Sequence, residues 1–224
     1  MRQTGLPMNF KKLFDFLSEL EKNNAKVWMD NNRKRYTEIR AEFICWLDDL
    51  DDTLANIDKY YYRTPGKKGI NRINKNLMFH PHKPVYKDHF GAGLDKEPGT
   101  GDFYIQIGIN ESLLAGGIWR PEPKSLRSIR DAIDYNGEEL IEIINKDSFK
   151  KAFGSLYIDE KLKGAPKGFK KEHPYIDLLK HKSFAVVYPL SKDQVLSSGF
   201  KEIVIEVYRE MLPFRRYLNQ ALTV

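Results

Sequence analysis

The sequence predicts an α+β fold in which a mainly antiparallel sheet packs against a layer of helices. Helical periodicity runs through both ends of the chain, and residues 103–119 alternate apolar and polar side chains as a β-hairpin does. The expected elements do not alternate regularly, as those of a doubly wound fold would. Because no internal repeat or long linker divides the 224 residues, we expect one domain over 1–224.

The first two elements are predicted to be amphipathic helices that pack as one layer. Apolar residues recur at helical spacing over 9–22, behind Asn9 as the N-cap, and again over about 32–58. Cys45, the only cysteine, lies among large apolar residues of the second helix. We therefore expect Cys45 to be buried and the protein to occupy a reducing compartment.

The rest of the chain mixes strands and helices. Tyrosines and β-branched residues replace the helical stripe after Tyr60, which predicts strand-like segments near 71–79 before the hairpin. A helical stretch over 123–146 should break near Asn136-Gly137. The last third is expected to contain a strand over 156–162, a short helix over 174–180, a strand over 183–190 and a helix over 199–222.

Positive charge is concentrated in two segments. The chain carries 37 Lys and Arg against 31 Asp and Glu, a formal charge of +6, which favours anionic partners. Residues 63–87 and 161–171 contain basic residues and no acid, whereas 48–52 form an acidic block. No stretch approaches the ~20 apolar residues of a membrane span, and the N-terminal segment lacks the features of a signal peptide. A cytoplasmic location, with no membrane partner, is the expectation.

Several familiar kinds of site are excluded by motif. The sequence has no GxGxxG, GxxxxGK[ST] or GxSxG segment, and no HExxH or CxxC. His80, His82 and His89 form the only histidine group, but Pro81 disturbs their geometry and nearby lysines would repel a cation. The sequence therefore predicts neither a metal nor a cofactor, and it leaves open whether the protein is an enzyme.

Two lysine-bearing loops are suited to an anion. Lys83 and Lys87 flank Tyr86, and Lys167-Gly168 with His173 repeats that type of composition. Ammonium and imidazole groups bind phosphate or carboxylate, and a glycine lets a ligand approach the backbone. The alternative interpretation is that these lysines are simply solvated.

Four separated blocks, 16–40, 74–93, 116–133 and 162–184, together resemble the domain of unknown function 2461 family of bacteria and fungi. The resemblance spans almost the whole chain and implies no reaction, cofactor or partner. This sequence departs from the family pattern at Met78, where an arginine is usual, at His80, where a serine is usual, and at His82, where an aspartate is usual.

The resemblance also marks positions whose charge or hydroxyl group a core does not require. We expect them to bind a small anionic, for example phosphorylated, ligand in a basic pocket that carries tyrosines. If the site is catalytic, His173 would act as acid or base, Tyr86 as proton donor and Lys83 or Lys87 as electrostatic stabiliser. The predicted ligand-binding residues are Arg33, Tyr36, Lys83, Tyr86, Lys87, Arg130, Lys167 and His173.

Two other functions stay open. The basic 63–87 segment, with Tyr60, Tyr61 and Tyr62 as stacking groups, would suit nucleic acid or an acidic protein. A purely structural or interaction protein would instead present an exposed apolar patch. The oligomeric state is not predicted.

Overall fold

The fold is α+β, as predicted. The computed structural model describes residues 8–78 and 84–222. Within them, the helices are α1 Phe10–Lys22, α2 Lys26–Asn31, α3 Arg33–Ala55, α4 Gly66–Gly69, α5 Pro123–Asn145, α6 Asp147–Phe153, α7 Ile176–Leu179, α8 Lys192–Leu196 and α9 Phe200–Ala221. The strands are β1 His89–Leu94, β2 Phe103–Gly108, β3 Ser112–Ile118 and β4 Phe184–Leu190, and they form one antiparallel sheet in the order β1-β2-β3-β4.

The first helix forms where its sequence pattern places it. The Asn9 side chain accepts a hydrogen bond from the Lys12 backbone N–H at 3.1 Å and so caps the N-terminus of α1. The apolar stripe of α1 is buried, including Leu13, Leu17 and Leu20. This burial supplies most of the stability of the helix, because an isolated helix of this length is marginal in water.

The prediction that Cys45 is buried is wrong, since its side chain is exposed. The buried stripe of α3 passes through Phe43 and Leu47. A residue two positions from each of these is rotated by about 200° around the helix axis and therefore lies on the opposite side. The large apolar neighbours of Cys45 in sequence are thus not its neighbours in space.

The predicted hairpin forms as β2 and β3, whereas β1 was not predicted. Five of the six residues of β1 are buried, so this strand lacks the alternation that identifies a strand with one exposed face. It also contains Gly91, where an added Cβ would lie 2.5 Å from the Tyr104 hydroxyl. A larger residue at position 91 would therefore require the Tyr104 side chain to move.

Two other predicted strands exist only as short antiparallel pairings. Residues 70–75 pair with 85–92 through the bridges Ile70↔Ala92 and Asn74↔Tyr86, and residue 79 lies outside the described part. Residues 157–162 run antiparallel to the start of β4 through the Lys161↔His181 bridge. The predicted break in α5 is confirmed by the non-helical backbone of Asn136.

The chain divides into two compact units. The first comprises Met1–Lys96, Tyr104–Leu114 and Pro189–Val204, and the second comprises Glu97–Phe103, Ala115–Tyr188 and Ile205–Val224. The first has an aromatic core in which Trp46 stacks on Phe200, and in the second Phe103 packs edge-on against Tyr208. Among the described residues, no helix combines the length and apolar character needed to cross a membrane. The domain prediction for 1–224 stays a prediction.

Candidate anion-binding site

Three basic side chains lie together on the paired segments 70–75 and 85–92 of the first unit. The pairing is fixed by two backbone hydrogen bonds, from Lys75 N–H to Val85 O at 2.9 Å and from Lys87 N–H to Ile73 O at 2.8 Å. It brings Arg72 and Lys75 close to Lys87, although a dozen or more residues separate them in sequence. We call Arg72, Lys75 and Lys87 the cationic ribbon.

The cationic ribbon is electrostatically unfavourable on its own. Lys87 and Lys75 are half-buried and Arg72 is exposed. Burial lowers the pKa of the Lys87 ammonium group, and the positive charges of Arg72 and Lys75 lower it further. In the described part of the chain, none of the three forms an ion pair with a carboxylate. Three neighbouring cations without a counter-charge favour an anion.

Tyr86 lies next to Lys87 in the chain but is almost fully buried, with 3% of its surface exposed. Asn24 holds its backbone in place, because the Asn24 side chain accepts from Tyr86 N–H at 2.8 Å and donates to Tyr86 O at 3.1 Å. Successive side chains of an extended segment point to opposite sides. The Tyr86 phenol and the Lys87 ammonium group are therefore directed to opposite faces.

Arg33 lies close to the Tyr86 side chain but is already paired. Its guanidinium donates to the Asp30 carboxylate at 2.9 Å, and Lys26 pairs with the same carboxylate. Arg33, the first residue of α3, thus shares one negative charge of α2 with Lys26. It can orient the Tyr86 phenol, and it contributes less net charge to a ligand than an unpaired cation would.

Tyr36 is half-buried and belongs largely to the aromatic packing of the first unit. Its ring lies 6.0 Å from those of Phe16 and Phe90. Burial raises the pKa of the Tyr36 phenol, and Arg40 and Arg33 offset part of that rise. The remaining predicted residue of this unit, Lys83, lies outside the described residues, as do His80 and His82.

The other predicted residues belong to the second unit, where Arg130 ties chain segments together. Its guanidinium donates to Leu179 O at 2.9 Å and to His181 O at 3.2 Å. Burial lowers the pKa of Arg130, and the nearby charge of Arg127 lowers it further. The contacts with the end of α7 and the start of β4 give Arg130 a structural role that its sequence position alone does not reveal.

Lys167 has an exposed side chain, but its backbone is held in a turn. Its carbonyl oxygen accepts from Arg127 Nη1 at 3.1 Å, and Gly168 has a φ of +92°, which favours glycine. Arg127 also lies over the Phe169 ring, with its Cζ 4.9 Å from the centroid. The turn thus presents the Lys167 ammonium group to solvent.

Both ring nitrogens of His173 are engaged. Nδ1 accepts from the Tyr175 backbone N–H at 3.1 Å, and Nε2 lies 2.8 Å from Asp134 Oδ1. Because Nδ1 is an acceptor, the proton of the neutral ring is on Nε2 and is donated to Asp134. This arrangement stabilises the turn before α7 and would have to open before His173 could exchange a proton with a ligand.

The acidic block 48–52 has a structural role that the sequence did not reveal. Asp51 accepts from the Tyr61 hydroxyl at 2.6 Å and from Thr64 N–H at 2.8 Å, and Asp48 accepts from Gly66 N–H at 2.7 Å. These carboxylates of α3 hold the loop that leads to the cationic ribbon. In the part of the chain that the structure describes, no group of three or more His, Cys, Asp or Glu could hold a metal ion.

Comparison with known families agrees with the four sequence blocks. Residues 12–217 match the model of a family described as a conserved hypothetical protein family, DUF2461. The chain belongs to this family. Neither the curated proteins nor the solved structures contain a match. The match covers most of both compact units, and the description of the family names no reaction or ligand.

Proposed function

We propose that this DUF2461 protein binds a small anionic ligand, through a phosphate or carboxylate group, at the cationic ribbon. The observation that carries the proposal is the half-buried Lys87, which pairs with no carboxylate among the described residues and whose pKa is lowered by burial and by the positive charges of Arg72 and Lys75. Burying such a group without a counter-charge destabilises the fold, and a bound anion would reverse that effect. The proposal includes no reaction.

The residues predicted from the sequence support this proposal to different degrees. Lys83 belongs to the same acid-free segment of the sequence and lies outside the described residues. Tyr86 and Arg33 are held together on the opposite face of the paired segment, and Tyr36 is packed beside aromatic rings. Arg130, Lys167 and His173 belong to the second unit, and their part in ligand binding stays a prediction.

Nucleic-acid binding through residues 63–87 is the weaker candidate. The Tyr61 hydroxyl is hydrogen-bonded to Asp51, and Arg63 is paired with Asp52. These contacts reduce the groups that the segment can offer to bases and phosphates. The exposed Tyr60 and Tyr62 are the features that keep this alternative open.

Calorimetric titration with pyrophosphate and with citrate tests the proposal. Lys87→Gln should weaken binding at least about tenfold, because it removes a charge-assisted hydrogen bond. Lys68→Gln is the matched control, since Lys68 is an exposed lysine of the same segment, and it should bind like the unaltered protein. Absence of binding to both anions, or equal losses in the two variants, would contradict the proposal.

The salt dependence separates the two candidates. Binding of a nucleic acid through several phosphates weakens steeply between about 50 and 200 mM salt, whereas a single half-buried anion site depends on salt much less. Titration of a short single-stranded oligonucleotide beside pyrophosphate would show which of the two binds more tightly at the higher salt concentration. Tighter oligonucleotide binding there would favour the nucleic-acid interpretation.

A further inference from the structure

The second unit presents an exposed indole that is held in a fixed position. Trp119 directly follows β3 and is 60% exposed, a large fraction for the largest apolar side chain. Its Nε1–H donates to Asp159 Oδ2 at 3.0 Å. Only 9% of the Asp159 side chain is exposed, so the anchor of the indole is itself buried.

Arg120 reinforces this arrangement at the cost of backbone strain. Its guanidinium lies 4.7 Å from the centre of the Trp119 ring, and its Nε–H donates to the same Asp159 Oδ2 at 3.0 Å. The backbone of Arg120 has a φ of +48°, which is unfavourable for a side chain of this size, and its N–H donates to the buried Ser183 Oγ at 2.9 Å. Strained conformations persist where surrounding contacts hold them, and they concentrate at functional sites.

The Asp159 carboxylate stays ionised in this position. Burial alone would raise its pKa, but hydrogen bonds from Arg120, Ser183 and Trp119 outweigh burial and lower the pKa below its ordinary value. The carboxylate therefore accepts hydrogen bonds from the Trp119 and Arg120 side chains across the physiological pH range. Trp119 and Arg120 are presented together as a rigid pair.

Apolar side chains continue from this pair along the outer side of β4. Tyr157 and Ile158, adjacent to Asp159 in the chain, are 48% and 58% exposed. Tyr157 N–H donates to Ala185 O at 2.7 Å, which fixes this segment beside β4. The same segment lines a groove of about 360 Å³ together with Phe153 and Val187. We call Trp119, Arg120, Tyr157 and Ile158 the Trp119 surface.

The segment that follows the Trp119 surface in the chain is basic, and the carboxylates between them, Asp159 and Glu160, are paired with Arg120 and Lys182. Residues 161–171 begin two positions after Asp159 and contain five lysines and no acid. In the part of the chain that the structure describes, none of these five lysines forms an ion pair. The two terminal nitrogens of Arg120 likewise have no protein partner among the described residues. An acidic partner would match this charge.

We propose that the Trp119 surface docks an acidic peptide segment of a protein partner. An apolar side chain of the partner would pack on Trp119 and in the groove, and its carboxylates would pair with Arg120 and the lysines of 161–171. Rigid Trp, Tyr and Arg side chains are the residues that dominate binding energy at protein interfaces. The exposed aliphatic side chain of Ile158, next to Tyr157 and the groove, favours a peptide over a nucleic acid, because a base can stack on Trp119 but not on an isoleucine.

Selection from a displayed library of random short peptides on the full chain tests this inference. The enriched peptides should carry net negative charge and at least one large apolar residue. Their affinity, measured by fluorescence anisotropy, should fall at least about tenfold in Trp119→Ala, as expected for a hot-spot residue. It should also fall in Arg120→Glu, which reverses the charge of the pair.

Tyr135→Ala is the matched control. Tyr135 is an aromatic residue of the same unit that is 93% exposed and lies outside the Trp119 surface, so its removal should leave peptide affinity unchanged. Circular dichroism melting of each variant establishes that it is folded. The inference is overturned if no enriched peptide distinguishes Trp119→Ala from Tyr135→Ala, if the enriched peptides are basic, or if an oligouridylate shows the Trp119 dependence and the peptides do not.

Discussion

At the scale of single residues, His181 is buried in a form that cannot easily gain a proton. Only 6% of its surface is exposed, and its ring lies near that of Phe184. Burial, and to a smaller extent the charge of Lys161, lower the pKa of the imidazole to about 4, although the charge of Asp177 partly opposes them. His181 is therefore neutral at physiological pH, and we expect its protonation at acidic pH to destabilise the fold.

We expect stability to fall as the pH is lowered from about 6.5 to about 4. In that window the unfolded chain binds a proton at His181 and the folded chain does not, so protonation favours unfolding by up to about 3 kcal/mol. Replacement of the imidazole in His181→Phe should remove this contribution and flatten the profile. Urea unfolding at a series of pH values measures the free energy of unfolding of both proteins. If this free energy changes with pH equally in the two proteins between about pH 4 and 6.5, His181 is not the group responsible.

At the scale of elements, one face of α3 builds the core and another orders a loop. Asp51 is 4% exposed and accepts two hydrogen bonds from the segment between α3 and α4. A buried carboxylate that satisfies a hydroxyl and a backbone N–H is costly to alter, because its partners are left without an equivalent acceptor.

Asp51→Ala, which removes the acceptor oxygen, should destabilise the protein by about 2 kcal/mol and increase hydrogen exchange in the loop over 58–66. Asp49→Ala is the control, because Asp49 is exposed on the same helix and its side chain forms a surface ion pair with Lys201, which contributes less than about 1 kcal/mol. Equal destabilisation by the two changes would mean that the acidic block acts through its overall charge.

The elements predictable from the sequence are those whose signal is local. The apolar stripe of α1 and the apolar-polar alternation of β2 are visible in a few consecutive residues, and the break in α5 follows from the dipeptide Asn136-Gly137. Strand β1 was not predicted because it is buried on both faces, so its residues do not alternate between apolar and polar. Cys45 was wrongly predicted to be buried because its neighbours in sequence were assumed to be its neighbours in space. Each error arises where a residue's environment depends on distant parts of the chain.

The candidate site was likewise predictable from the sequence only in part. Lys87 was predicted to bind a ligand because it matches the family pattern in an acid-free segment. Its neighbours Arg72 and Lys75 were not selected, since only the pairing of 70–75 with 85–92 brings them to it. The hydrogen bonds that engage Arg130 and both nitrogens of His173 also depend on tertiary structure.

At the scale of the whole molecule, the proposed binding of an anion at the cationic ribbon would couple ligand binding to global stability. A ligand that binds only the folded state raises the free energy of unfolding with the logarithm of its concentration. When no anion is bound, a half-buried lysine beside two other cations lowers the free energy of unfolding. The protein should therefore be less stable without its ligand than a variant that lacks this charge.

Lys87→Met keeps an unbranched apolar side chain in place and removes the charge. We expect it to raise the free energy of unfolding by about 1 kcal/mol in buffer free of multivalent anions, the pattern of a site that sacrifices stability for function. Pyrophosphate should then raise the melting temperature of the unaltered protein in a concentration-dependent way and leave that of Lys87→Met unchanged. Calorimetric melting of both proteins across a pyrophosphate series measures the two effects together. If Lys87→Met is destabilised and still responds to pyrophosphate, Lys87 is a packing residue and the anion binds elsewhere.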